Sequence, residues 1–249
     1  MQRSCRCIDI RCMDTISENN SKFVVSSVES IISILVMCRN EKDLQTSLRL
    51  HRYICTNGLE THLSVGKYLV SLFVELDNIW YAHQAFQKLL HVDESSWNAL
   101  ICGYVKHGDH LQALRLYQKM KKNHCSHHPC GYTFVALLKA CTTLQEIEKG
   151  SQIHADIARF GLFQVDIFIS TTLIDMYAKF GFLGKAQDVF DSLDKQNTVL
   201  WNALISGYSQ HDLGYEAIDS FGRMQEEGLL PDVVIFSCIS QCLRKHRDS

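Results

Sequence analysis

The sequence is internally repetitive, and this feature constrains its fold more than any other. The pentapeptide Trp-Asn-Ala-Leu-Ile occurs at residues 97–101 and again at 201–205, and the similarity continues beyond it in both copies. A second match relates residues 51–59 to residues 154–162 at nearly the same offset. The long period divides into three helix pairs of about 35, 31 and 35 residues, lengths that are typical of helical repeat arrays.

Apolar residues within these units follow the spacing of α-helices. Trp201, Leu204 and Tyr208 fall on one face of a helix with 3.6 residues per turn. The helix after it ends where Gly228 is followed by Pro231, the usual order of stop signals. One helix pair cannot bury both of its faces, whereas stacked pairs bury a continuous core. The sequence therefore predicts an all-α solenoid of tandem helix-turn-helix repeats, wound as a right-handed superhelix.

Four longer runs indicate the kind of repeat. They are Trp-Asn-Ala-Leu-Ile-Ser-Gly-Tyr at 201–208, Gln-Glu-Glu-Gly-Leu-Leu-Pro-Asp at 225–232, Leu-Ile-Asp-Met-Tyr-Ala-Lys at 173–179 and Gly-Ser-Gln-Ile-His at 150–154. With these runs the chain resembles plant organellar pentatricopeptide-repeat (PPR) proteins of the PLS subfamily, in a form without a C-terminal deaminase-like domain. The resemblance implies six repeats followed by an incomplete seventh, at 28–62, 63–93, 94–130, 131–166, 167–197, 198–232 and 233–249.

The resemblance also implies a partner, single-stranded RNA, and the residues that contact it. In the family, the fifth and last residues of a repeat contact one base, and the second residue packs against it. On this basis Thr171 and Asn197 are expected to favour adenine. Asn202 and Asp232 are expected to favour uridine. The residues expected to pack around the bases are Phe168, Val199 and Val233.

The earlier repeats depart from the family pattern. Lys67 occupies a fifth position with Asp93 in the last one, and a lysine is expected to contact a phosphate because it has no acceptor for a base edge. Asn98 is followed by Cys130 in the last position. The repeats at 28–62 and 131–166 have apolar fifth residues (Ile32 and Val135). Selective base contacts are therefore expected mainly from the repeats at 167–197 and 198–232.

No catalytic constellation is apparent in the sequence. The run His154-Ala155-Asp156 lacks the glutamate of a deaminase His-x-Glu motif, and no Cys-x-x-Cys occurs. Five residues of zinc-ligand type lie too close together for a common structural site, and a surface loop is expected there instead. These residues are His124, Cys125, His127, His128 and Cys130. We therefore expect a protein without enzymatic activity, cofactor or metal. Catalysis of RNA editing or RNA processing would come from a separate enzyme or from C-terminal sequence that this chain lacks.

Other features concern the compartment and the ends of the sequence. Eleven scattered cysteines are typical of free thiols in a reducing compartment, and no apolar run reaches the length of a membrane span. Residues 1–27 contain Arg3, Arg6 and Arg11, which suggests a targeting segment for a mitochondrion or chloroplast. At the other end, residues 233–243 are predicted to form one helix that packs through Val234, Phe236, Ile239 and Leu243.

The net charge argues against binding that is driven by phosphate contacts. The formal net charge is −2, whereas proteins held by phosphates are usually basic. Stacking and packing around each base require less net charge. Two alternatives to an RNA-binding module remain open: a helical-repeat scaffold of the tetratricopeptide type that binds a peptide, and a truncated product without stable function. We interpret Trp97 and Trp201 as core residues, and His51 and His154 as structural residues hydrogen-bonded within their helix pairs.

Overall fold

The computed structural model describes residues 27–122, 128–163, 165–194 and 196–248. Of the predicted N-terminal segment, all but Ser27 lies outside these residues, as do the zinc candidates His124, Cys125 and His127. Over the described ranges the secondary structure is helical throughout, with no β-strand. The α-helices are α1 (Val28–Glu41), α2 (Leu44–Thr56), α3 (Leu63–Glu75), α4 (Ile79–Lys88), α5 (Glu94–Lys106), α6 (His110–Lys122), α7 (Gly131–Leu144), α8 (Ile147–Arg159), α9 (Ile167–Lys179), α10 (Leu183–Asp191), α11 (Thr198–Gln210), α12 (Gly214–Glu226) and α13 (Val233–Asp248). A short 3-10 helix, Leu59–Thr61, precedes α3.

The helices form a solenoid in which each odd-numbered helix packs against the next odd-numbered helix. This row of contacts runs from α1 through α3, α5, α7, α9 and α11 to α13. The even-numbered helices pack on the odd-numbered ones, as in α3 with α4 and α11 with α12. The predicted fold class, an all-α repeat solenoid, is therefore confirmed.

The turns inside the six helix pairs share one backbone conformation. In all six pairs, one residue between the two helices has a left-handed backbone conformation, with φ between 53° and 79°. Such a residue ends a helix and reverses the chain, which is a common way to close an α-helix. Only two of the six are glycine. The residues are Lys42, Asp77, Gly108, Gln145, Gly181 and Asp212.

The two repeated tryptophans lie in the core, as predicted. Trp97 and Trp201 are buried, and each packs on a phenylalanine of the preceding helix with ring centroids 4.7 and 4.4 Å apart (Phe86 and Phe190). The Trp201 Nε1–H also donates a hydrogen bond of 3.1 Å to Glu227 at the end of α12. The repeated tryptophan therefore ties its own helix pair to the preceding pair.

The two repeated histidines are structural, as predicted, but only His51 has its hydrogen-bond partner within its own helix pair. His154 of α8 forms a hydrogen bond of 3.0 Å between its Nδ1 and the Tyr177 hydroxyl of α9, in the following helix pair. His51 of α2 lies 3.4 Å from the Cys55 thiol and packs its ring on Phe73. A sequence cannot distinguish a partner in the same pair from one in the next pair, because both lie beside the second helix.

A buried carboxylate links α6 to α8. Asp156 of α8 accepts hydrogen bonds from the Tyr117 hydroxyl and the Lys121 ammonium, each 2.5 Å long. Arg159, one turn further along α8, donates to the other carboxylate oxygen at 2.8 Å. A buried charge is costly without partners, and these three donors offset that cost for Asp156. It also joins two successive helix pairs through polar contacts in addition to their apolar packing.

The last helix packs through a different face from the one predicted. In α13, Ile235, Ile239 and Cys242 are buried, while Phe236 and Leu243 are each 54% exposed. Only Ile239 of the predicted face is correct. The sequence pattern was compatible with more than one apolar stripe, and the packing of α13 on α11 and α12 selects the one that starts at Ile235.

Replacing Trp201 by alanine should reduce the stability of the array strongly. The side chain is fully buried, and its loss opens a cavity beside Phe190. The expected cost is about 3–5 kcal/mol in the free energy of unfolding, measured by urea denaturation followed by circular dichroism. Tyr215→Ala in the adjoining helix is the control, because Tyr215 is 79% exposed and should change the value by about 0.5 kcal/mol or less. Equal effects would contradict this packing.

Stability should fall as the pH drops below the ordinary histidine pKa. Burial, with a smaller contribution from Lys185, lowers the pKa of His154 below 6.5, so the unfolded chain takes up a proton that the folded chain resists. The folded state therefore loses stability as pH falls from 6.5 towards the lowered pKa. His154→Gln should show a smaller loss between pH 7.5 and pH 5.5 in urea titrations. The same loss in both proteins would exclude His154 as a source.

Candidate nucleic-acid interface

The last residues of four predicted repeats share a local role at the start of the next helix. Asp93, Asp166, Asn197 and Asp232 directly precede α5, α9, α11 and α13, and each side chain accepts a hydrogen bond from a backbone N–H of that helix. The distances lie between 2.9 and 3.2 Å. Helix N-cap residues of this type satisfy donors that otherwise lack partners. Capping thus fixes the position of these side chains before any ligand is bound.

Asn202 and Asp232, a pair that the family resemblance implied, are hydrogen-bonded to each other. The Asn202 Nδ2 donates a hydrogen bond of 2.6 Å to Asp232 Oδ2, across 30 positions of sequence. The other oxygen, Oδ1, caps α13 through Val234 and Ile235. The hydrogen bond from Asn202, together with those from these backbone N–H groups, lowers the pKa of Asp232. The side chain is also exposed, so Asp232 presents a charged carboxylate to solvent. The buried Oδ1 of Asn202 has no partner among the described residues.

The predicted pair at 63–93 is an ion pair. The Lys67 ammonium lies 3.6 Å from Asp93 Oδ2, so Asp93 is a charged partner for Lys67 within the protein. Burial alone would raise the pKa of Asp93, but hydrogen bonds from Ser96 and Ser95 and the charge of Lys67 outweigh it and lower the pKa. Lys67 and Asp93 are the fifth and last residues of their repeat, and so correspond to Asn202 and Asp232 in the repeat at 198–232.

The remaining two predicted pairs differ from these. Asn98 meets Cys130 through the backbone, because the Cys130 N–H donates to Asn98 Oδ1 at 3.4 Å while the thiol faces Thr133. Thr171 and Asn197 form no hydrogen bond with each other. The Thr171 hydroxyl donates to the backbone oxygen of Ile167 at 2.7 Å, and the Asn197 Oδ1 is used for capping. Thr171 and Asn197 thus occupy the positions predicted for adenine recognition, but no hydrogen bond connects their side chains.

Exposed apolar side chains occupy the second residue of four successive odd-numbered helices. Phe168 and Val199 were predicted, and they are 72% and 51% exposed. Val233 was predicted as the third, but it is the first residue of α13, and the residue in register with Phe168 and Val199 is Val234. Tyr132, the second residue of α7 and 75% exposed, was missed, although its register position identified it. We call Tyr132, Phe168, Val199 and Val234 the apolar row.

The described residues contain no cluster of three or more His, Cys, Asp or Glu side chains arranged to hold a metal ion. The seven cysteines in the described ranges are free thiols, and Cys38, Cys141 and Cys242 among them are buried. None of the described helices combines the length and the apolar character needed to cross a lipid bilayer.

Comparison with known protein families matches three segments of the chain. Residues 92–143 match the PPR repeat family, and residues 168–197 and 199–229 match the PPR repeat. The chain carries pentatricopeptide repeats. The matched segments include Asn98, Thr171 and Asn202, three of the predicted fifth positions. The capping residues Asn197 and Asp232 thus lie at or just beyond the ends of matched PPR segments.

Related PPR sequences occur in plants and are longer than this chain. A putative pentatricopeptide repeat-containing protein of Arabidopsis thaliana is 31% identical over 230 residues, which are 92% of this chain and 31% of that protein. A chloroplastic pentatricopeptide repeat-containing protein of the same plant is 33% identical, over 85% of this chain and 40% of its own length. The chain thus spans well under half the length of these relatives.

Solved PPR structures share the fold. The crystal structure of PPR10 from maize superposes with a TM-score of 0.65 at 16% identity, over 94% of this chain and 38% of PPR10. The structure of PPR10 in complex with an 18-nt psaJ RNA element gives a TM-score of 0.67 at 18% identity, over 86% and 32%. At these identities the likeness concerns the arrangement of the helices.

Replacing Asp232 by alanine should destabilise the chain, whereas Asp232→Asn should not. Alanine cannot accept the backbone hydrogen bonds that start α13, and the loss of an N-cap costs about 0.5–2 kcal/mol. Asparagine caps helices about as well as aspartate. Urea denaturation of both variants measures the difference. Equal stability of Asp232→Ala and the parent protein would show that this cap contributes nothing.

Proposed function

We propose that this chain binds single-stranded RNA with one base per repeat. In this proposal the repeats are those at 28–62, 63–93, 94–130, 131–166, 167–197 and 198–232, followed by an incomplete one at 233–249. The repeat at 167–197 selects adenine and the repeat at 198–232 selects uridine, so the preferred sequence contains A-U in the 5′ to 3′ direction.

The observation that carries this proposal is the hydrogen bond between Asn202 and Asp232. It places an amide group and a carboxylate side by side at the start of α13, where together they present donors and acceptors suited to a base edge. The carboxylate is charged and fixed by capping, so its orientation costs little when a ligand arrives. Preorganised polar groups of this kind favour recognition because less freedom is lost on binding.

The apolar row supplies the second element that base recognition needs. Val199 and Val234 lie two positions after the caps Asn197 and Asp232, and Phe168 lies two positions after Asp166. Exposed apolar side chains are unusual when they recur in register, and repeated ones indicate a binding surface. Stacking of a base on an aromatic side chain such as Phe168 contributes about 1–3 kcal/mol, and apolar packing of this kind does not depend on net charge. This agrees with a chain whose formal net charge is −2.

The similarity to PPR10 supports RNA as the ligand, because one of the PPR10 structures contains an RNA element. The wider role in the proposal is organellar RNA editing or another RNA-processing step. Relatives of this chain include chloroplastic and mitochondrial proteins, which supports an organellar location. The chain would supply target recognition, and a separate enzyme would supply catalysis. This division agrees with the absence of a His-x-Glu motif paired with Cys-x-x-Cys in the sequence.

The double variant Asn202→Thr/Asp232→Asn should change the preferred base at one position from uridine to adenine. It reproduces in the repeat at 198–232 the pair found at Thr171 and Asn197. Asparagine retains the cap of α13, so the fold should persist. The parent protein should bind hexamers ending in A-U about tenfold more tightly than those ending in A-A, and the variant should reverse this order. Fluorescence anisotropy with labelled RNA hexamers measures both affinities.

Asp219→Asn is the matched control for this experiment. It removes the same negative charge from an exposed position on α12, away from the paired residues, and should leave the order of hexamers unchanged. Equal affinity for all hexamers, in the parent and in the double variant, would contradict base reading. That result would favour a peptide-binding scaffold.

A further inference from the structure

We propose that Lys67 and Asp93 make the repeat at 63–93 selective for guanine. This inference rests on the proposed RNA function, and it adds a third selective repeat to the two already named. The family pattern for such a pair does not include a lysine, so the assignment depends on the chemistry of the two side chains in this structure.

The spacing of the two groups lets both of them face neighbouring atoms of one base edge. The Lys67 ammonium lies 3.6 Å from the Asp93 carboxylate, which is longer than a hydrogen bond between these groups. The Lys67 side chain is 45% exposed and that of Asp93 is 31% exposed, so both can be reached by a ligand. Asn202 and Asp232, in the same positions, are in direct contact at 2.6 Å. The ammonium and the carboxylate of the repeat at 63–93 are therefore paired without a direct hydrogen bond, whereas Asn202 and Asp232 are hydrogen-bonded.

One side of this pair is fixed and the other is mobile. Asp93 is held by the Ser96 backbone N–H at 2.9 Å and by the Ser95 hydroxyl at 2.8 Å. Lys67 has four rotatable side-chain bonds and a single partner among the described residues. A base can therefore align on the fixed carboxylate while the ammonium adjusts to it.

Guanine is the base whose Watson–Crick edge complements these groups. An ammonium only donates hydrogen bonds, and a carboxylate only accepts them. Guanine presents one acceptor, O6, beside two adjacent donors, the N1–H and the N2 amino group. The acceptor matches Lys67 and the donors match Asp93. Uracil has a single donor between two carbonyl oxygens, so one oxygen would face the carboxylate. Adenine and cytosine each offer only one donor group to it.

Because this repeat lacks exposed apolar side chains for base packing, the charged side chains Lys67 and Asp93 contribute more to base binding. Ser64 and Ser95 occupy the second residues of α3 and α5, where later helices have the apolar row. A base bound here would pack on small polar side chains and gain less from stacking. Hydrogen bonds to charged groups are roughly twice as strong as those between neutral groups. In a repeat without apolar packing, the charged side chains of the ion pair therefore supply the base selectivity.

The test uses RNA hexamers of the form 5′-CXCCAU-3′, in which X lies opposite the repeat at 63–93 when A and U lie opposite the last two. Anisotropy should show about tenfold tighter binding for X = guanine than for the other three bases. Lys67→Asn recreates the pair of Asn202 and Asp232, and should move the preference at X to uridine. Lys67→Met keeps the length of the side chain without its charge, and should abolish the preference at X.

Lys106→Met is the matched control. Lys106 also forms an exposed ion pair, 3.0 Å from Asp77, but at the opposite end of α5 from the reading positions. This variant removes the same charge and should leave the preference at X unchanged. Stability measured by urea denaturation should be similar in all three variants, because exposed ion pairs contribute little.

Two results would overturn the inference. If Lys67→Met weakened binding equally for all four bases and reduced the salt dependence by about one unit, Lys67 would contact a phosphate. If the parent bound all four X bases equally but still preferred A-U at the end, the assignment of guanine would be wrong while the proposed RNA function stood. Equal binding at X and at the A-U positions would reject both.

Discussion

The packing of each odd-numbered helix against the next one determines the geometry of the whole array. Two repeated glycines show how closely these helices approach. A Cβ atom at Gly207 of α11 would lie 2.7 Å from the Cβ of Ala178 in α9, and one at Gly103 of α5 would lie 3.0 Å from Val74 in α3. Contacts at this distance leave no space for a larger side chain, because protein interiors are close-packed. The distance between successive helix pairs, and so between successive reading positions, follows from these contacts.

Capping connects this framework to the candidate interface. A side chain that starts an odd-numbered helix is held by backbone N–H groups, so its position follows from the packing of that helix. Aspartate and asparagine are nearly equivalent as caps, whereas they differ in charge and in hydrogen-bonding capacity. Exchange of asparagine for aspartate at one of these capping positions therefore changes base recognition with little loss of fold stability. The same position without such a side chain, Cys130, has no side-chain cap and meets Asn98 only through its backbone.

Several carboxylates of this chain have cationic or amide side chains close by. Of the carboxylates that begin helices, Asp93 is close to a lysine and Asp232 accepts from an amide. The buried Asp156 is balanced by Lys121 and Arg159. A protein with a formal net charge of −2 has little general attraction for phosphates. Its proposed affinity for RNA therefore depends on paired polar groups and exposed apolar side chains.

The sequence by itself determined the fold class, because repeated apolar spacing and helix stop signals are local properties of the chain. It also determined the core position of Trp201, since this follows from the register within a repeat. Only the tertiary structure decided which face of α13 is buried, that His154 bonds to Tyr177, and that Lys67 lies beside Asp93. These contacts depend on the rotation of one helix against its neighbours, and the side-chain pattern of a single helix is compatible with several rotations.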